Sequence, residues 1–124
     1  MKARILLAIA IAGLLAAPSA EAQQYRVRQQ SLGPDVRPRA WCGWWMRQQL
    51  GVADRRFNAA WAWASYGRPS SGPCIGCIVV WRHHVGRITG HDGHNWIVTS
   101  GNDFGGEVRT TPWSVRGAVF RLPS

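Results

Sequence analysis

The 124 residues of this chain bound it at one domain. Fifteen Lys and Arg against six Asp and Glu give a formal charge of +9, which suits a polyanionic partner such as nucleic acid, anionic lipid or an anionic cell-envelope polymer. The arginines are scattered from Arg26 to Arg121 without a dense run, which speaks against a dedicated nucleic-acid face and for solubility with general attraction to anionic envelope polymers.

Lys2 and Arg4 precede an apolar run over residues 5–17, and Ala20-Glu21-Ala22 follows with the small-x-small pattern of a cleavage site. Residues 1–22 therefore read as a secretory signal peptide, which makes the mature protein secreted or periplasmic, starting near Gln23. A membrane anchor needs about 20 apolar residues, and this run is shorter. No later stretch is apolar enough to span a bilayer, so no stable membrane insertion is expected; the mature chain is also expected to be a monomer.

Residues 23–39 are polar, contain Gly33, Pro34 and Pro38 and show no sustained period, so they read as an arm or loop leading into a domain over 40–124. A helix is predicted over 41–50, with Trp41, Trp44 and Trp45 on one flank, Arg47 and Gln48 on the other, and Gly51 at its stop. A second helix is predicted over 57–64, ending before Gly67 and Pro69. The period then changes from helical to extended, with strands near 77–81, 85–89, 96–100, 108–109 and 118–122. Two helices followed by a small antiparallel sheet make an α+β domain.

Three cysteines in an exported chain leave one over after a single disulfide. Cys74 and Cys77 are spaced to pair locally, which would leave Cys42 free. The same C-x-x-C also admits two separate thiols, a redox motif, or half of a zinc site completed by His83, His84, His91 or His94. Cys42 stands where the first helix starts, within Trp41-Cys42-Gly43-Trp44-Trp45. Unpaired N–H groups and the helix dipole there favour a thiolate and are expected to lower its pKa. A cysteine in that position is also compatible with a small buried hydrophobe.

A cysteine nucleophile requires a base, and the base requires a third polar group to orient it. His84 opens the strand His84-Val85-Gly86-Arg87-Ile88, and His83 precedes it facing the other side. His91 and His94 fall in a glycine-containing turn, and the next strand ends at Ser100-Gly101-Asn102-Asp103.

Cysteine on a helix, histidine on a strand and a polar residue at the end of the next strand form an ordering that resembles the CHAP and NlpC-like cysteine peptidases. These papain-like hydrolases cleave amide bonds in bacterial peptidoglycan. Trp41-Cys42 is similar to their nucleophile motif. The run from Pro73 to Trp81 is similar to their P-x-x-G-D-I-V-V-F strand, and His83-His84-Val85-Gly86-Arg87-Ile88 to their G-H-V-G-I-V strand. Gly101-Asn102 falls where related sequences have a G-N pair. Cys77 departs from the family's Asp and His83 from its Gly. The resemblance implies a papain-like fold, Cys42 as nucleophile, His84 as base and Asn102 as orienting residue. It implies no cofactor or metal, and the peptide stems of peptidoglycan as substrate. Two other readings of the residues stand beside it: a noncatalytic module binding cell-wall or other anionic polymers on the same fold, and a thiol redox protein using Cys74 and Cys77.

Overall fold

A computed structural model describes residues 16–123. The basic start and most of the apolar run of the predicted signal lie outside them. Among the described residues no helix is long and apolar enough to cross a membrane.

The polar stretch predicted as an arm contains a helix, α1 (Ala20–Ser31), whose described side chains are exposed. Ser19 caps it, its Oγ accepting from the Ala22 N–H at 3.2 Å. Alanine, glutamine and arginine are good helix formers. With no face buried there is no apolar period to reveal the helix in the sequence. The predicted cleavage site occupies its first turn.

The next helix, α2 (Cys42–Leu50), lies where it was predicted. Gly51 closes it in the left-handed conformation, its N–H donating to the Arg47 carbonyl. Gly43 lets α2 approach its neighbour: a Cβ there would stand 2.4 Å from the carbonyl oxygens of both Phe57 and Asn58. Arg47, on the flank away from the tryptophans, is 2 % exposed. Its guanidinium reaches both carboxylate oxygens of Asp35 and Oδ1 of Asn58, and donates to the carbonyls of Val52 and Ala53. A charge is tolerated inside when its counter-ion and hydrogen-bond acceptors are built around it.

The second predicted helix is instead two short 3-10 helices, Arg55–Asn58 and Ala60–Ser65, separated by extended Ala59. The Phe57 carbonyl, which a continuous α-helix would use four residues on, accepts from the Trp63 indole N–H at 2.7 Å. Trp63 is fully buried and packs with Phe57 and Tyr66 at centroid distances of 5.0 and 4.7 Å. Burying such a ring contributes about 2–3 kcal/mol, which outweighs the loss of one regular helical hydrogen bond.

Six antiparallel strands follow: β1 (Arg68–Pro69), β2 (Ile78–Val80), β3 (Val85–His91), β4 (Trp96–Asp103), β5 (Glu107–Trp113) and β6 (Val119–Leu122), in the order β1-β6-β2-β3-β4-β5. Strand alternation separates two apolar layers. Ile78, Val80 and Val85 meet Cys42, Met46, Phe57 and Trp63 under α2. Cys77, Val79, Ile88 and Val98 meet Trp81, Trp96, Trp113 and Phe120 on the other face. The protein is therefore an α+β domain with few helices and one antiparallel sheet.

Candidate active site

The N-cap of α2 is Trp41, which supplies no side-chain cap. The first N–H groups of the helix are left to other partners, and those of Cys42 and Gly43 lie at the Cys42 sulfur. A third N–H reaches the same sulfur from Val85, the first residue of β3. The thiol therefore rests on the peptide that joins His84 to Val85. Cys42 is the free cysteine, whereas Cys74 and Cys77 form a disulfide with Cα atoms 5.2 Å apart in the loop before β2.

β2 and β3 are joined by a tight hairpin. The Trp81 N–H donates to the His84 carbonyl at 2.8 Å, which leaves only Arg82 and His83 at the tip. His84, opposite Trp81, shares that residue's face of the sheet. Its ring stacks on Trp113 with centroids 4.9 Å apart and planes within 12°. Its Nε2 is 2.8 Å from the Ser100 Oγ. His83 is exposed at the tip and lines a cavity of about 340 Å³ together with Cys42, Asn58, Trp61 and Arg82.

Asn102, expected to orient His84, does not hold it: among the described residues the side-chain hydrogen-bond partner of the imidazole is Ser100. The reason lies in the backbone. Asn102 has φ 51° at an irregularity in the β4–β5 pairing, which breaks the alternation that would carry it beside His84, and its Oδ1 lies toward Gly106 in the following turn. Ser100, two residues earlier and fully buried, takes the position. Asp103 is 2 % exposed, accepts from the Phe104 N–H at 2.7 Å and from the Trp113 indole at 3.4 Å, and acts on the His84 ring through its charge.

Burial controls both titrating groups. It pushes the Cys42 thiol above its ordinary value and outweighs the three N–H groups at the sulfur. The helix-terminus donors are present as expected, but the lowered thiol pKa is not. Burial likewise holds the His84 imidazole below its ordinary value, against the Asp103 carboxylate, which favours the cation. The resting pair is a neutral thiol and a neutral imidazole. His91, expected in the turn, is the last residue of β3 and pairs with Trp96, while His94 lies in the β3–β4 turn; both are exposed, and among the described residues no group of three or more His, Cys, Asp or Glu could hold a metal ion.

Compared with protein families, curated proteins and solved structures, the chain matches none.

Proposed function

We propose that the protein is a secreted or periplasmic cysteine hydrolase of papain-like fold that cleaves peptide amide bonds in peptidoglycan stems. The observation that carries this reading is the seat of the Cys42 sulfur, a free thiol at the start of α2 resting on the N–H of the His84–Val85 peptide. With Nε2 engaged by Ser100, Nδ1 is the nitrogen of His84 left for proton exchange. The neutral imidazole takes the thiol proton as sulfur attacks the amide carbonyl, and the imidazolium then protonates the departing amine as the C–N bond breaks. The resulting thioester is hydrolysed by water, with His84 as base, releasing the acid and restoring the thiol. Ser100 assumes the orienting role that the resemblance gave to Asn102. The Cys42 backbone N–H is one donor for the oxyanion.

A second reading, a noncatalytic module for anionic wall polymers on the same scaffold, draws on a different observation: Cys42 is only 4 % exposed and burial favours its unreactive form. Purified peptidoglycan incubated with wild type and with Cys42→Ala separates the two. Hydrolysis predicts new amine and carboxyl termini by mass spectrometry with wild type only, both proteins having the same circular dichroism. Equal, salt-sensitive retention of both on the polymer, without new termini, supports the binding module and overturns the enzyme.

A further inference from the structure

Arg82 stands at the tip of the two-residue hairpin that also carries His83 into the Cys42 cavity. Its guanidinium lies over the Trp61 ring at 5.7 Å, and Trp61 is itself 45 % exposed on the cavity wall. A cation–π contact of this kind holds the group by attraction to the ring and uses none of its N–H donors on a protein oxygen. Those donors have no protein acceptor among the described residues. The ion pairs there join Arg47 to Asp35 and Arg56 to Asp54, whereas Arg47, Arg55, Arg87 and Arg121 all donate to protein oxygens. No aspartate or glutamate lines the cavity. A guanidinium over an aromatic ring, without a counter-ion, in the cavity that the free thiol also lines, can receive an anion with two planar oxygens.

We infer that Arg82 is a specificity residue that reads a free carboxylate on a peptide seated over Cys42. The inference rests on the hydrolase reading for its substrate, since peptidoglycan stem peptides carry such carboxylates beside their amide bonds. Amidation of the carboxylate removes the charge and one acceptor, so the two forms of a stem peptide are told apart at this position.

The test reads binding rather than cleavage, so that it fails separately from the enzymatic assignment. A synthetic stem peptide with free carboxylates and the same peptide fully amidated are titrated calorimetrically into the full mature chain carrying Cys42→Ala. The free acid is expected to bind about fivefold tighter, a modest factor because Arg82 is exposed to solvent. Adding Arg82→Gln should abolish the preference. Arg82→Lys should keep only part of it, because an ammonium lacks the planar fork. Arg116→Gln, at a residue lining a different cavity, should keep all of it, which separates local recognition from the general attraction of a basic protein. Equal affinities for the two peptides, no binding of either, or a preference that survives Arg82→Gln overturns the inference. If wild type cleaves nothing but the Arg82-dependent preference is found, the recognition stands and the hydrolase reading falls.

Discussion

Beneath α2 the sheet is sealed: Ile78, Val80 and Val85 have no solvent exposure and close against Met46 and Trp63, which have none either. On the opposite face Trp81, Trp96 and Trp113 are only partly buried; Trp81 and Trp113 flank His84, which is hydrogen-bonded to Ser100, and the Trp113 indole donates to the Asp103 carboxylate. Cys42 belongs to the first face and His84 to the second, on either side of the backbone where β3 begins. The difference shows where reactivity has to come from. A helix start does not by itself deliver a thiolate when the sulfur is packed into an apolar layer, because desolvation of the anion outweighs the nearby donors. In the proposed hydrolase, the proton would therefore be taken at the moment of attack by a group from the polar face.

The sharpest way to break this division is to remove its histidine. His84→Ala should lower kcat/KM on peptidoglycan fragments about a thousandfold, and the double variant with Cys42→Ala should be scarcely worse than either single one, since members of one catalytic unit fail together. His83→Ala, which alters the cavity wall and not the polar face, should leave most of the rate. A lethal His83→Ala beside a tolerated His84→Ala would reverse the assignment.

A smaller effect distinguishes the two candidates for holding the imidazole. Ser100→Ala should cost about tenfold in rate, the worth of one hydrogen bond to a group that becomes charged, and should shift the nitrogen NMR signal of His84 Nε2 at unchanged secondary structure. Asn102→Ala should stay within about twofold and leave that signal in place. The opposite ranking would return the orienting role to Asn102.

The smallest expected effects come from pH. Because His84 is held below its ordinary value of 6.5, the acid limb of kcat/KM should fall below that point, with the base still neutral where an ordinary histidine is half protonated. Stability should follow the same group. Where the unfolded chain binds a proton at His84 and the folded protein does not, stability rises with pH, so its contribution is complete above 6.5 and is lost as pH falls toward the folded value. Cys42 works on the alkaline side. Its thiol stays protonated in the folded protein above the ordinary value of 9.0, so its contribution is complete below that point and declines as pH rises through the folded value. Urea midpoints across both ranges should show a plateau with two shoulders. Stability unchanged on the acid side would remove the buried neutral histidine.

Most of the elements that carry this division were legible in the sequence. The extended apolar runs around Ile78, Val85 and Val98 announce strands, and Gly51 marks the end of α2. The tip residues Arg82 and His83 fall between two apolar segments. What the sequence hid depends on long-range register or on missing contrast. Ser100 and Asn102 lie two apart on one strand, where alternation puts both on the same face, and only the left-handed backbone at Asn102 removes one of them. The described side chains of the helix over Ala20–Ser31 are exposed, and it shows no apolar period. The break at Ala59 follows from an indole six residues from the carbonyl it takes. The two-residue β1 contains a proline and is recognisable only from its partner β6.

The clasp between Arg47 and Asp35 has a consequence for where the folding unit begins. Asp35 sits in the polar stretch that sequence alone treats as a lead-in, yet its carboxylate is the counter-ion of a guanidinium 2 % exposed in the core. Removing one partner of a buried pair costs about 3–5 kcal/mol, and the 36 % exposure of Asp35 puts this case at the lower end. That is a large share of the about 5–15 kcal/mol that holds a domain together. Proteolytic trimming that stops short of Asp35 would leave the domain whole, whereas trimming through to Trp41 would unseat its interior. Gly33 and Asp35 are therefore held by the folded domain, through Arg55 and Arg47, rather than by a separate lead-in.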